Sequence, residues 1–453
     1  MELENIITKI VNKKLNNPIL KLFQEMKIKT ILKKSNFIKK NGIAPYFVVV
    51  HFIYMIVTGK KISTFRKQSS DSFKKDIYYR LLQNKNNNWR KLLQLSTIKI
   101  LSLVHKVQQI ELTRVLIIDD TVDGKRGKKI EGSCDKLWSN KEKKLLRGIN
   151  TVSLNYSDGI SNFMLDFAIS LNNYMRVKLE DFTNELNYRT NGYKRRAEGL
   201  IGKSQIALNM VQRAINSGIY ADYLLVDSWY SKPIFIKEIK EMGLELISRL
   251  ANNNKIWNFI GSQKTIDAIY RRFKKIKRIK IGYYGKIKYT YFSAIVRHYS
   301  AGKLKIVFIK TDSNLIPIVS TNLNLSDEEI IELYKRRWDI EQGYKNLRTY
   351  FAFGQEQNRI YEALIARITL SFLTHNLISY INRMEGKSET IGAVFEELEY
   401  KLTALAISME IFLEILEEIA KIEEFVKAGE ELAQIAHILG VVRQKSLGWR
   451  CEK

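Results

Sequence analysis

Residues 113–121, TRVLIIDDT, contain a compact apolar run that ends in two adjacent aspartates, Asp119 and Asp120. A short apolar run of this kind predicts a buried β-strand. Residues 149–156 then alternate like a strand, a Ser-Asp-Gly turn signal follows at 157–159, and residues 162–169 return as the hairpin partner. Further along come a helical stretch (197–217), a short apolar strand (223–226) ending in Asp227, a helix (232–242) and a strand (244–250).

This order of three antiparallel strands, helix, strand, helix and strand predicts an α/β fold. It is the arrangement of a ribonuclease-H-like mixed sheet flanked by helices, with a carboxylate at the end of the first and fourth strands. A generic α/β domain produces the same order, so that alternative stays open. We predict a helical N-terminal region (1–105), an α/β domain (106–350) with a β-rich insert at about 251–325, and a helical C-terminal region (351–453).

The charge balance favours a polyanionic partner. The 453 residues include 75 Lys and Arg against 47 Asp and Glu, which gives a formal net charge of +28. Neutralising phosphates releases condensed counterions, so a surplus of this size favours binding to nucleic acid. A lysine-rich codon bias is the alternative explanation, although bias alone does not produce clustered arginines.

Cysteine use and hydropathy limit the cellular compartment. The two cysteines, Cys134 and Cys451, have no neighbour at zinc spacing, which argues for a reducing compartment without a disulfide scaffold or structural zinc. The longest apolar run, residues 44–58, is short for a membrane span and contains His51. No cleavable signal precedes it. We therefore predict a cytoplasmic, nucleoid-associated protein with no membrane partner.

Basic residues occur in three settings: on a face of the N-terminal region, in the β-rich insert, and at isolated positions near predicted strands and loops. The N-terminal region has a basic face that includes Arg66 and Arg90, which predicts a module that holds DNA. The insert combines cations at 271–280 with tyrosines at 283–291, a mixture that suits backbone tracking and base stacking. A solvated face is the alternative in both regions. Isolated cations near the predicted strands and loops are candidates for backbone phosphate contact: Lys128, Lys129, Arg195 and Arg249.

The strongest local signal is residues 334–348, YKRRWDIEQGYKNLR. At about 100° per residue, five positions fall within roughly an 80° arc of one helix face; they are Tyr334, Arg337, Glu341, Lys345 and Arg348. A salt-bridge ladder is the alternative for a carboxylate among cations. It does not explain a tyrosine and a tryptophan in the same turn, nor two aspartates that end apolar strands.

The spacing Tyr-x2-Arg-x3-Glu-x6-basic resembles the signature of DDE transposases of the insertion-sequence-four family, the cut-and-paste group. Residues 116–121 and 224–230 look like that family's first and second aspartate strands. The family has lysine at the final position, whereas this chain has Arg348 there and Lys345 one turn earlier. The resemblance covers about residues 110–350.

The resemblance implies that Asp119, Asp227 and Glu341 are catalytic and hold two Mg²⁺ (or Mn²⁺) ions. Hard divalent ions take oxygen ligands, which is why carboxylates suit them. Neighbouring strand residues point to opposite faces, so Asp119 or Asp120 reaches the metals, but not both. Asp119 is favoured because it directly ends the apolar run, and Asp120 is the alternative.

The resemblance also implies a DNA substrate and a reaction order. Tyr334, Arg337 and either Lys345 or Arg348 would grip the phosphate, a hairpin would form at the element end, and a homodimer would pair two ends. The expected partners are double-stranded DNA with terminal inverted repeats and target DNA. A ribonuclease-H-like nuclease that cuts without joining is one alternative, and a catalytically inactive DNA-binding remnant is another.

Overall fold

The computed structural model describes residues 18–403, apart from 69–72, 109, 128, 140–141, 172–181, 184–185, 252–256, 260–261, 286, 299, 313, 356–357 and 387–388. Lys128, Cys451 and the part of the predicted C-terminal region from 404 onward lie outside the described residues. The helices are α1 (Pro18–Glu25), α2 (Ile28–Lys34), α3 (Pro45–Val57), α4 (Ile62–Gln68), α5 (Lys75–Gln83), α6 (Trp89–Val107), α7 (Asn191–Gly199), α8 (Lys203–Asn216), α9 (Pro233–Glu241), α10 (Ile266–Lys274), α11 (Asp327–Lys335), α12 (Trp338–Tyr350) and α13 (Tyr361–Met384). Residues 391–403 are also helical.

The strands are β1 (Val115–Gly124), β2 (Cys134–Ser139), β3 (Lys144–Ser157), β4 (Asn162–Ile169), β5 (Tyr223–Val226), β6 (Glu245–Arg249), β7 (Trp257–Phe259), β8 (Ser262–Lys264), β9 (Lys280–Tyr284), β10 (Ile287–His298), β11 (Gly302–Lys310) and β12 (Leu315–Ser320). They form one sheet in the order β2-β3-β1-β5-β6-β12-β11-β10-β7-β8, with β4 also paired to β3 and β9 to β10.

The centre of the sheet has the predicted topology. β3 is antiparallel to both β1 and β4, while β5 is parallel to β1 and β6 is parallel to β5. Parallel neighbours need crossover connections, and α9 supplies the one between β5 and β6. The predicted α/β, ribonuclease-H-like fold class is confirmed. The strand β2, which pairs with the first part of β3, is absent from the sequence prediction.

The β-rich insert continues this sheet. β12 returns antiparallel to β6 and places Ile318 opposite Arg249, and β11 and β10 follow in order. The middle of β11 is buried, including Ile306 and Phe308. Helix α10 carries three cations in its last turn: Arg271, Arg272 and Lys274.

Helix α13 lies in the core against α6 and β4. The side chain of Asn376 accepts a hydrogen bond from Met164 N at 2.8 Å and donates to Met164 O and to Thr97 Oγ1. Among the described residues α13 is the helix long and apolar enough to cross a membrane, but 94% of its apolar window is buried inside the protein. It is therefore the core helix of this fold.

A buried ion-pair cluster attaches α6 to the sheet and to α7 and α8. Asp166 of β4 accepts from Arg90 Nε and from Arg213 Nε, each at 2.8 Å. Glu198 of α7 pairs with the same two arginines. The predicted helical N-terminal region thus packs on the sheet through α6.

Arg195 belongs to the same cluster, and its position corrects one prediction. Its side chain is buried, lies 4.6 Å from the centroid of the Phe167 ring, and donates from NH1 to Phe167 O at 2.6 Å. A buried guanidinium held in this way does not face a DNA backbone. Arg195 therefore has a structural role instead of the predicted phosphate contact. A run of adjacent cations in the sequence does not show which of them are buried and which are at the surface.

Candidate active site

Two of the predicted carboxylates lie beside each other on neighbouring parallel strands: Asp227 directly follows β5, whereas Asp119 lies inside β1, which continues past the predicted end to Gly124. The register of β1 and β5 ends with Ile118 opposite Val226, so Asp119 and Asp227 are the next residues on each strand. Paired strands are about 4.8 Å apart, so the two positions are neighbours in the sheet. The backbone after β5 turns at once, because Trp229 N donates to Asp227 Oδ1 at 2.9 Å. The fold thereby brings together two side chains that are far apart in the sequence.

Glu341 enters the site from α12, and Arg337 connects it to β1. Arg337 donates from NH1 to Asp119 Oδ2 at 3.3 Å and from NH2 to Glu341 Oε1 at 2.6 Å. The predicted single helix face is wrong in one respect: Tyr334 lies on α11, which ends at Lys335, and Arg337 lies in the turn before α12. The other three residues are on α12. Local periodicity does not reveal this break, since residues 336 and 337 keep near-helical dihedral angles.

The charges of the pocket fit a divalent cation. Burial, together with the charges of Asp120 and Asp227, raises the pKa of Asp119 to about 7, while Arg337 opposes this shift. Burial likewise raises the pKa of Asp227. Carboxylates that resist ionisation together are those that a bound cation would stabilise. Within the described residues, however, no group of three His, Cys, Asp or Glu side chains is arranged to hold a metal ion, and Arg337 joins Asp119 to Glu341 instead.

Asp120 is also part of this pocket. Its Oδ1 pairs with Lys203 Nζ at 2.8 Å, and both side chains are largely buried. The charge of Asp120 also raises the pKa of Asp227, after the effect of burial. Each aspartate of the pair is therefore electrostatically linked to Asp227, since the charge of Asp227 raises the pKa of Asp119 and the charge of Asp120 raises the pKa of Asp227. The cationic partners of the two aspartates differ.

The predicted DNA-binding residues occupy different positions around the pocket. Arg348 donates from Nε to Asp123 Oδ1 at 2.9 Å and from NH2 to Thr121 Oγ1, so it lies against β1. Burial raises the pKa of Tyr334 to about 12, and a backbone hydrogen bond with Arg249 opposes that shift. The remaining described cations are exposed to solvent: Lys129, Arg249 and Lys345.

Sequence reasoning assigned no role to two residues that support the site. The buried Tyr344 of α12 donates from its hydroxyl to Asp119 O at 3.0 Å and is also hydrogen-bonded to Ser153. It thereby fixes the backbone of β1 at Asp119. The second of these residues is Lys203, which pairs with Asp120. Apart from its place at the start of a helix, no pattern in the sequence predicts a role for it. Tyr344 has a weak signal, because it lies one turn after Glu341 on the same helix.

Two family comparisons match overlapping parts of the chain. Residues 69–264 match a family described as DDE superfamily endonuclease, and residues 202–377 match one described as Transposase DDE domain. The first match contains Asp119 and the second contains Glu341, while Asp227 lies in both. No curated protein matches the chain. Together with the mixed sheet, the two matches support a DDE-superfamily transposase or endonuclease, which is a nuclease-type enzyme.

Proposed function

We propose that the chain is a DNA transposase that cuts the ends of a DNA element and joins them to target DNA. One observation carries this proposal: Asp119 in β1 lies beside Asp227 at the end of the parallel strand β5, and Arg337 links Asp119 to Glu341. The net charge of +28 supports a DNA substrate. The motif of residues 334–348 supports the insertion-sequence-four family within the superfamily.

We assign the roles of the side chains from their positions. Asp119, Asp227 and Glu341 would hold two Mg²⁺ or Mn²⁺ ions, which activate the attacking oxygen and stabilise the leaving oxygen of a phosphodiester. Arg337 has two carboxylate partners in the DNA-free site. A phosphate oxygen is an equally good bidentate partner for a guanidinium, so Arg337 exchanges partners when DNA enters.

The reaction has two kinds of nucleophile. Water first attacks the phosphorus at the element end, the bond from phosphorus to the 3′ oxygen breaks, and that oxygen leaves as a 3′-hydroxyl. The hydroxyl next attacks a phosphodiester of the opposite strand to form a hairpin, and the 3′ oxygen of the flanking DNA leaves as a hydroxyl. Water then opens the hairpin and restores the 3′-hydroxyl, which attacks a phosphodiester of target DNA and displaces a 3′-hydroxyl there. Tyr334 and either Lys345 or Arg348 hold the phosphate beside a displaced base. A homodimer holds both element ends.

A cleavage and joining assay tests the proposal. The purified chain is incubated with Mg²⁺ or Mn²⁺ and duplexes from the DNA that flanks its coding sequence. We expect strand cleavage, and joining of precut 3′-hydroxyl ends to a target plasmid. The variants Asp227→Ala and Glu341→Ala abolish cleavage while circular dichroism and end binding persist. Glu332→Ala, which removes an exposed glutamate of α11, retains cleavage.

The same assay separates the alternatives. Metal-dependent cleavage by Asp227→Ala at the wild-type rate refutes the assigned site. Cleavage without joining of precut ends identifies a nuclease, and end binding without either reaction identifies an inactive remnant. Both results contradict the proposed transposase.

A further inference from the structure

Two adjacent aspartates reach one pocket, and each has its own cation. Asp119 pairs with Arg337 of the turn before α12, while Asp120 pairs with Lys203 at the first position of α8. The two pairings are not equivalent. Arg337 also pairs with Glu341, whereas the partner of Lys203 among the carboxylates of the pocket is Asp120.

Lys203 is held in place from a second side. Its Nζ lies 4.1 Å from the centroid of the Trp229 ring, and its side chain is 17% exposed. Trp229 in turn donates from its backbone N–H to Asp227 Oδ1. The ammonium group of Lys203 is therefore fixed between Asp120 and the turn after β5, which carries Asp227. Because the Lys203 side chain is largely buried, its cation–π contact with Trp229 is shielded from water.

A fixed ammonium group changes what Asp120 can do. It occupies Oδ1 of that carboxylate at 2.8 Å and places a positive charge beside it. A divalent cation is repelled by that charge, while Asp119 keeps a partner that can leave for a DNA phosphate. We propose that Lys203 is a positioning residue that keeps Asp120 out of the metal-binding set, so that Asp119 acts as the first carboxylate.

This inference rests on the proposed metal-dependent function and deepens it, because it names the residue that decides between the two aspartates. Loss of Lys203 leaves Asp120 without this cation, as a fourth carboxylate beside the three predicted ligands. The DNA-free protein then binds Mn²⁺ more tightly, through a set that includes Asp120, and this altered set slows strand cleavage.

The test measures Mn²⁺ affinity by titration of the DNA-free protein with detection by electron paramagnetic resonance. Lys203→Met keeps the length of the side chain and its packing on Trp229 but removes the charge, and we expect about tenfold tighter Mn²⁺ binding. Lys203→Arg, which restores the charge, returns the affinity to that of the wild type. Lys232→Met is the matched control, because Lys232 Nζ lies 4.4 Å from the same ring and has no ion pair with Asp120 in the described part of the chain.

A double variant makes the role of Asp120 explicit. If Lys203 acts through Asp120, Lys203→Met combined with Asp120→Asn binds Mn²⁺ like the wild type, whereas Asp119→Asn abolishes binding. Unchanged affinity in Lys203→Met, or a double variant that keeps the tighter binding, overturns the proposal. So does a loss of Mn²⁺ binding in Asp120→Asn with retention in Asp119→Asn.

Failure of the proposed function gives a different result. If no form cleaves DNA, the proposed transposase is refuted, while the Mn²⁺ affinities still decide the role of Lys203. If Lys203→Met does not fold, the Mn²⁺ affinities of Asp119→Asn and Asp120→Asn decide whether Asp120 is kept out of the metal-binding set. Loss of binding in Asp120→Asn with retention in Asp119→Asn overturns the proposal.

Discussion

Replacing Asp166 by asparagine tests whether the buried ion-pair cluster holds α6 on the sheet. Its carboxylate is buried and pairs with Arg90 and Arg213, while Glu198 is the second acid of the cluster. Despite burial, these arginines lower the pKa of Asp166 from 3.8 to about 2. At about 1.4 kcal/mol for each pKa unit, that lowering of the pKa corresponds to roughly 2–3 kcal/mol in favour of the ionised, folded state.

The full cost of Asp166→Asn is larger, because the arginines remain buried with less negative charge beside them. Removing one partner of a buried ion pair costs about 3–5 kcal/mol. We expect a loss of this size in the free energy of unfolding at pH 7, measured by urea denaturation with tryptophan fluorescence. The stabilisation by the Asp166 carboxylate is present above pH 3.8 and is lost as the pH falls towards 2.

A surface aspartate supplies the matched control. Asp76 pairs with Arg80 one helical turn away, and both side chains are at least half exposed. Exposed pairs contribute about 0–1 kcal/mol, so Asp76→Asn should change stability little. If Asp166→Asn destabilises the protein no more than Asp76→Asn does, the cluster does not hold α6 and the reasoning fails.

Three further predictions concern the site and the pH dependence. Arg337→Gln removes the cation between two predicted metal ligands, so DNA-free protein should bind Mn²⁺ about tenfold more tightly while DNA cleavage falls, and unchanged Mn²⁺ affinity would contradict this. Gly343→Ala places a Cβ 2.8 Å from Cε of the buried Met164, so the end of that side chain must move in a packed core. We expect the free energy of unfolding in urea denaturation to fall by about 1–3 kcal/mol, and an unchanged value would show that the core accommodates the methyl group. Burial lowers the pKa of His51 to about 3 and of His375 to about 4 from 6.5. Stability is therefore full above pH 6.5 and falls by about 2 kcal/mol for each histidine at pH 5, and equal unfolding free energies at pH 8 and pH 5 would refute that.

The sheet was accessible to sequence reasoning because its strands are short apolar runs with turn signals between them. Periodicity and composition are local properties, so the runs that became β1, β4 and β5 could be identified without knowledge of their neighbours. The strand β2 was not predicted, since its sequence, CDKLWS, lacks an apolar run. The break between α11 and α12 was missed because nothing in its sequence ends a helix.

Residue patterns over a few positions were enough to predict the order of elements at the centre of the sheet and the aspartates that follow its apolar runs, although β1 continues past Asp119 to Gly124. The tertiary structure alone decided how those residues meet. Arg337 pairs with Asp119 across 218 positions, and Lys203 with Asp120 across 83. Arg195 was a candidate for phosphate contact at the surface because of its place in the sequence, but its side chain is buried next to Asp166. Such pairings depend on strand register and on how helices pack against the sheet, and no local pattern specifies which distant side chain will be the partner.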